Sequence, residues 1–291
     1  MTNRKIESSE LLINPDGTIF HLHLHPEQLA DKIIMVGDPG RVPMVAKHFD
    51  TKDFDVQSRE FRTIGGTKNG EKVMCVSHGI GPDNMDIVVN ELDALANIDF
   101  ATGTVKERHR ALTMVRIGTS GALQPEIPLG AYVIAGRSIG FDGVLNYYAG
   151  CREVTDIEFE EKLTADTDWD PRWAAPYVVS SDPGLIERIG KGEMIEGITI
   201  SAVGFYGPQG RELRLPLSRP KLNESIEKFE FLGAKITNYE MESAPLEGLS
   251  LLLGHKAMTV CLIIANRYNL DATPDYKAAM ERLVSTVVER I

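Results

Sequence analysis

In the stretch TMVRIGTSG, residues 113–121, a continuous apolar and β-branched run passes into two hydroxyl residues bounded by glycines. A run that does not alternate in polarity suits a strand covered on both faces. The reading is therefore a buried strand over Thr113–Ile117 and a loop at its carboxyl end over residues 118–121. Arg116 lies inside the run. An arginine is ordinarily a solvated surface charge, and this position does not fit that description. A guanidinium, two hydroxyls and free backbone N–H groups are what an oxyanion such as phosphate asks for, because arginine pairs its oxygens bidentately.

Working outward, comparable runs recur at Lys32–Val36, Val73–Ser77, Ala131–Ala135, Tyr177–Ser180, Ile198–Val203 and Met258–Ala265. Between them lie helical patterns. Asp86–Ala96 places apolar residues at i, i+3/i+4 and i+7. Ser243–Leu253 carries Pro245 in its first turn and Gly254 just past its end, and Tyr276–Ile291 is amphipathic. Strands alternating with helices imply an α/β fold, a mostly parallel or mixed central sheet flanked by helices. With no linker, low-complexity stretch or repeat, residues 1–291 read as one domain. Such sheets bind ligands at the carboxyl ends of their strands, where Gly37, Gly79, Gly118 and Gly204 stand.

Composition narrows the partners. A net charge of -11 over 291 residues speaks against nucleic acid, whose phosphate backbone calls for basic surface. Cys75, Cys151 and Cys261 are odd in number, widely spaced and without CxxC, which fits a reducing compartment rather than a disulfide framework or zinc site. The opening MTNRKIESSE has no apolar core of a signal peptide. The apolar run around Leu249–Leu253 is too short to span a bilayer. A cytoplasmic location, with no membrane partner, is the expectation.

Further constellations surround the first. Gly37-Asp38-Pro39-Gly40-Arg41, Ser58-Arg59-Glu60-Phe61 and Asn266-Arg267 carry more arginines in glycine-rich or apolar settings. Neither a Walker motif nor GxGxxG is present. In Asn238-Tyr239-Glu240-Met241-Glu242-Ser243, two carboxylates flank a methionine just before a helix. They read either as a helix start with favourable acids or as a carboxylate gripping vicinal sugar hydroxyls with the methionine against the sugar. Gly204 to Arg211 (GFYGPQGR) offers aromatics, an amide and a guanidinium, suited to a base or to an ordinary loop. His21, His23 and His25 alternate, but no nearby Cys or carboxylate completes a metal set. Asn223-Glu224-Ser225 spells a glycosylation sequon that a cytoplasmic protein does not use.

Taken in order, GDPxR at residues 37–41, SREF at 58–61, RIGTSG at 116–121, FYxxQxR at 205–211, NYEMES at 238–243 and NR at 266–267 resemble the nucleoside phosphorylase-I family, and within it the uridine phosphorylase branch. The resemblance runs from Phe20-His21-Leu22 to Arg267. It implies a pentosyltransferase that cleaves uridine reversibly with inorganic phosphate, giving uracil and ribose 1-phosphate in pyrimidine salvage. It also implies roles. Gly37, Arg41, Arg116 and Thr119 bind phosphate, joined by Arg59 from a neighbouring subunit. Glu242, Met241 and Thr119 hold the ribose, with His21 reaching it from the same neighbour. Phe205, Gln209 and Arg211 receive the base, assisted by Gly121, Ile264 and Arg267. The catalytic set is Arg116, Arg211, Gln209 and Glu242, acting by preorganised electrostatics rather than a covalent nucleophile. Two borrowed residues imply a homodimer as the active unit, with a hexamer as the further assembly.

Some positions depart from the family pattern. Residues 101–111 (ATGTVKERHRA) are longer than the matching turn in compact bacterial members. Asn84 stands where some have a serine that helps hold a monovalent cation such as K⁺ between subunits, while Glu60 and Ile80 match. Ala265 is smaller than the usual valine, which leaves room for a bulkier base substituent. Purine-specific relatives protonate the base with an aspartate near the last strand's end, where this chain has Ile264-Ala265-Asn266-Arg267. A purine nucleoside phosphorylase or a nucleosidase of the same fold is the nearest rival reading, and a non-catalytic nucleoside-binding protein a third. Arg116→Ala is expected to abolish phosphorolysis and leave the fold intact.

Overall fold

β1 (Lys32–Val36) coincides with its expected range and shows how the layers form. Strand side chains alternate between faces. Ile33 and Met35 pack into one apolar cluster with α2 (Pro82–Asn97) and α7 (Ser243–Leu253). Ile34 and Val36 pack into another with α1 (Val42–Ala46), α5 (Pro183–Ile189) and α8 (Lys277–Arg290). Two-sided cover is why the run is apolar throughout. The computed structural model describes residues 4–192, 194–273 and 275–291. The first three residues of the N-terminal stretch read above therefore lie outside the described residues.

β2 (Thr51–Ser58), β3 (Phe61–Lys68) and β4 (Glu71–Ser77) make an antiparallel meander, which β4 joins in parallel to β1. β5 (Ile98–Asp99) and β6 (Thr104–Val105) form a separate small ribbon. β7 (Thr113–Ala122) lies between β1 and β13 (Lys256–Asn266), parallel to both. β8 (Tyr132–Gly140) pairs antiparallel with β13 and with β9 (Tyr177–Ser180), and parallel with β10 (Ile195–Ser201). β11 (Glu230–Phe231) and β14 (Asp271–Ala272) are short additions to β12 (Ala234–Glu240) and β13. The sheet is thus mixed, with parallel pairs on either side of the antiparallel β8–β13 pair.

One pairing shapes the molecule. β12 lies parallel to β10 but also meets β7 antiparallel, Tyr239 opposite Gly121 and Asn238 opposite Ala122. The sequence β7, β13, β8, β10, β12 and back to β7 is therefore a closed ring of strands. α3 (Cys151–Val154), α4 (Ile157–Asp166) and α6 (Leu222–Lys228) complete the helices, α4 and α6 packing Phe159, Leu163 and Ile226 against the outside of β10 and β12. Among the described residues no helix is long and apolar enough to cross a membrane.

The 101–111 segment sits at the opening end of the strands. Arg110 donates to Asp31 Oδ1 at 2.6 Å and Leu29 O at 2.9 Å, immediately before β1. His109 Nε2 lies 2.9 Å from Leu253 O. His255, just ahead of β13, accepts from Leu112 N–H at Nδ1, so its Nε2 carries the proton it shares with Asp93 at 3.1 Å. The ring nitrogen facing Asp93 is thereby committed to a hydrogen bond, and the Asp93–His109–His255 group fastens the insertion to the frame. His21 instead pairs with Glu91, 2.6 Å from Nδ1 to Oε1.

Candidate active site

β1 and β4 end side by side next to the middle of β7, so Gly37, His78 and Gly118 follow Val36, Ser77 and Ile117 in one row. Residues 118–121 are not the loop expected of them. β7 continues to Ala122, because β13 stays beside it through Leu262 and Ile263 after β1 has ended. On the β1 side no strand among the described residues pairs with residues 118–120 until Tyr239 meets Gly121. Thr119, half-buried, stands on that open backbone edge.

Alternation puts Met114 and Arg116 on the face covered by α2 and α7, and Val115 and Ile117 on the other. The Arg116 side chain folds forward over Gly118. A Cβ there would lie 2.8 Å from Arg116 Nη1 and 2.9 Å from Cys261 Sγ, so only glycine leaves the guanidinium room.

At 3 % exposure Arg116 is enclosed by charge of opposite sign. Its Nη2 pairs with Glu242 Oε2, its Nη1 lies 2.8 Å from Glu240 Oε2, and its Nε donates to His78 Nε2 at 3.2 Å. Burial works against the charge, but Glu242 and Glu240 outweigh it and hold the Arg116 pKa above its ordinary value. Glu242 also accepts from Gly81 N–H at 2.8 Å, at the start of α2. Glu240 accepts from the Ser201 hydroxyl at 2.6 Å, the Ser243 hydroxyl at 2.7 Å and Glu242 N–H at 2.9 Å. The acids of NYEMES therefore lie at the start of α7, as one of their two readings had it, and both also face the Arg116 guanidinium, a pairing that neither reading contained. Met241 is half-buried between them.

Gly37 leads into a 3₁₀ turn, Pro39–Arg41, capped by Asp38, which accepts from Gly40 N–H at 2.8 Å. That turn delivers Arg41, whose Nη1 donates to Ile117 O at 3.3 Å. Gly37, Arg41, Arg116, Thr119, Met241 and Glu242 are thus assembled at one sheet end. His78 joins them, and sequence reasoning missed it. Its Nε2 accepts from Arg116, which puts the proton on Nδ1, and that atom has no partner among the described residues. Burial, then the Arg116 and Arg41 charges, push its pKa well below the usual histidine range. The histidine following a strand directly before Gly79 was the available signal. Glu240 as the second partner of Arg116 and Cys261 beside it were also missed.

The ring closure brings up a second corner. Gln209, 3 % exposed, accepts at Oε1 from Arg211 Nη1 at 2.8 Å and from Arg267 Nη2 at 2.6 Å. Arg211 lies 3.7 Å over the Phe205 ring, and Arg267 4.9 Å over the Tyr239 ring. Burial, and then the neighbouring Arg211 charge, lower the Arg267 pKa to about 10. Its buried Nε has no acceptor among the described residues and faces Gly121, where a Cβ would lie 3.4 Å away. Two guanidiniums here share one amide oxygen as their acceptor. Ile264 is half-buried on β13, one residue before Ala265, which pairs with Gly121. Beside this corner a cavity of about 850 Å³ opens between Phe141, Trp169 and Trp173 and the segment running from Tyr206 to Arg219.

Two expected residues are elsewhere in the chain. Arg59 is exposed, in a left-handed conformation (φ 54), with its guanidinium 5.9 Å from the Phe20 ring. His21 is next to Phe20 and packs edge-on to Phe61. They are brought near one another but not bonded to the Arg116 cluster. Of the suggested cation set, Asn84 Nδ2 donates to Glu60 Oε1 at 3.2 Å, and Ile80 is 73 % exposed next to them.

Residues 31–289 match the model of the phosphorylase superfamily. The chain is 29 % identical over 269 residues to a uridine phosphorylase of Thermococcus kodakarensis, covering 90 % of this chain and 83 % of that one. It is 30 % identical over 258 residues to the uridine phosphorylase of Escherichia coli, covering 86 % of each. Among solved structures, a Trypanosoma brucei nucleoside phosphorylase described as showing uridine phosphorylase activity superposes with a TM-score of 0.86 at 27 % identity, covering 96 % of this chain and 98 % of that one.

Proposed function

The chain belongs to the phosphorylase superfamily, and from that premise we propose that it cleaves uridine with inorganic phosphate, giving uracil and ribose 1-phosphate. The observation that carries the reading is the pairing of the two corners across Gly121. A buried guanidinium–carboxylate cluster stands on one side, and Gln209 with two arginines on the other.

Breaking the N-glycosidic bond puts positive charge on the ribose and negative charge on the departing base. Gly37, Arg41, Thr119 and Arg116 are suited to hold phosphate against the anomeric carbon, where it stabilises the first charge and then attacks. Arg116 keeps an Nη2 N–H beyond the one given to Glu242, since a guanidinium carries five donors. Glu242, with Met241 and Thr119, is suited to take the ribose hydroxyls. Arg211, Gln209 and Arg267 supply donors for the base carbonyls, with Phe205, Gly121 and Ile264 around the ring. Preorganised donors of this kind need no reorganisation as charge develops.

A pyrimidine fits this corner better than a purine. Asn266, where purine-specific relatives place their proton donor, gives its amide to Gln124 O at 3.0 Å and Ile127 O at 2.9 Å and has no acid to offer. A water-using nucleosidase has no need of the Arg41, Arg59 and Arg116 set.

The reading extends to assembly. Arg59 and His21 lie together on one surface, apart from Arg116, as residues lent to a neighbour's site would. The active unit is then a homodimer, with dimers joining into a hexamer in the cytoplasm. The oxygens of Glu60, Ile80 and Asn84 are hard donors that suit a monovalent cation at the subunit boundary. The test is base release from uridine, thymidine and inosine, each with and without phosphate. Uracil release that depends on phosphate is expected, and equal release without it would overturn the proposal.

A further inference from the structure

α7 is buried along most of its length, and the stripe it turns toward the sheet is polar: Ser243, Glu247 and Ser250, none more than 1 % exposed. Ser243 is bonded to Glu240, and Ser250 donates to Leu246 O at 2.6 Å. Glu247 has neither. Both its carboxyl oxygens lack a hydrogen-bond partner among the described residues, and so do the hydroxyls of Ser138 on β8 and Thr259 on β13. Thr259 is in register with Arg116 and two residues before Cys261, which lies 3.8 Å from Arg116 Nη1, so it shares the Arg116 face of the sheet. Interiors rarely leave such groups unpaired. Polar orphans on one buried seam mark a place where a proton, not a charge, is held.

We propose that Glu247 is a positioning residue that holds a proton on the α7 side of the Arg116–Glu240–Glu242 cluster, and that losing this proton weakens the grip of Arg116 on phosphate. The inference rests on the phosphorylase reading above. Arg116 already faces two carboxylates, and a third would turn the cluster further against an anion. Burial pushes the Glu247 carboxyl up to about 8 and Glu240 pushes the same way, while the neighbouring Ser138 and Ser181 hydroxyls, which fall short of full hydrogen-bond geometry with it, and the Arg116 charge pull back. Glu240 from β12 and Arg116 from β7 are the charged groups acting on it. On the other elements packed against α7, burial holds Cys261 of β13 up at about 12 and keeps Tyr177 of β9 well above the usual phenol range. Cys151 of α3 is raised as well. Asp142, after β8, accepts from the Tyr177 hydroxyl at 3.0 Å, and burial raises its carboxyl as well.

The experiment is the KM for phosphate between pH 6.5 and 9.5, at saturating uridine, for the wild type and Glu247→Gln. The dianion is the main form of phosphate above neutrality, so its own titration adds little there. The wild-type KM is expected to rise on the order of tenfold toward pH 9.5, the effect of one charge about 12 Å from the anion in a medium of effective dielectric about 20. In the variant the profile is flat, with kcat changed equally at all pH. Superimposable profiles would overturn the proposal. If wild-type uracil release needs no phosphate, it is the phosphorylase reading that fails. A measurement on the wild type alone guards against a misfolded variant. Calorimetry of phosphate binding at pH 8.5, in buffers of different ionisation enthalpy, should show proton uptake on binding, and zero uptake would refute the role.

Discussion

Replacing Gly118 by alanine adds one methyl group at the tightest point of the site. The new Cβ would lie 2.8 Å and 3.0 Å from the terminal nitrogens of Arg116 and 2.9 Å from Cys261 Sγ, where ordinary contact begins at about 3.4 Å. β7 is held by β13 at this position, so the backbone cannot easily retreat and the guanidinium must move by roughly half an ångström or more. Overpacking of this kind costs about 1–3 kcal/mol of stability, which chemical denaturation would register as a lower midpoint. The larger effect is on chemistry. A catalytic group displaced by about 1 Å loses on the order of 10²-fold in rate. The assay is uridine phosphorolysis followed by absorbance, and kcat/KM for phosphate is expected to fall about a hundredfold. Adding Cys261→Ala removes the sulfur contact but not the guanidinium contacts, so it should restore little. Activity of Gly118→Ala within about twofold of wild type would refute the reasoning, and full rescue by Cys261→Ala would move the cause from Arg116 to the sulfur.

Arg116→Ala should abolish phosphorolysis but not leave the fold untouched, as its sequence setting alone suggested. It strands Glu240 and Glu242 without their buried counter-charge, a loss of about 3–5 kcal/mol that denaturant titration would detect. Arg267→Met removes a donor from the base corner and should lower kcat/KM for uridine by about 10²–10³, with the KM for phosphate little changed. Glu247→Gln should gain stability over the wild type as pH rises. The folded acid titrates near 8 rather than at its ordinary 4.5, so between these values the unfolded wild type binds fewer protons and its stability falls. The gap opens across that window, levels off above about pH 8 and reaches roughly 4–5 kcal/mol, measured by melts at pH 5 and pH 8.5. Sedimentation with activity across the gradient should find uracil release only in dimers or larger species, and an active monomer would refute the shared roles of Arg59 and His21.

Much of the frame was legible before any coordinates. β1, β9 and α7 fall where their runs placed them, because a strand covered on both faces and a helix buried against a sheet leave little choice of residue. β2 and β3 were not legible. Thr51–Ser58 exposes one face and alternates Phe54 and Val56 with charge, so a search for continuous apolar runs passes over it. β12 escaped for the opposite reason. Its Asn238 and Glu240 are buried but satisfied by Ser120 and Ser201, partners far away in sequence, with Ser243 of the following helix adding to Glu240.

The local order of residues along the chain was enough to place Arg116 in a buried strand, Glu242 before a helix, and Gln209, Arg211 and Arg267 at strand ends and loops, because these are matters of near neighbours. It could not say what Arg116 touches. That depends on β12 closing against β7, which sets Glu240 and Glu242 against the guanidinium and brings Gly121 beneath Arg267. It depends equally on α7 laying Glu247 along the same buried face. Charge pairing in an interior is decided by distance in space, and only the closed ring of strands sets those distances.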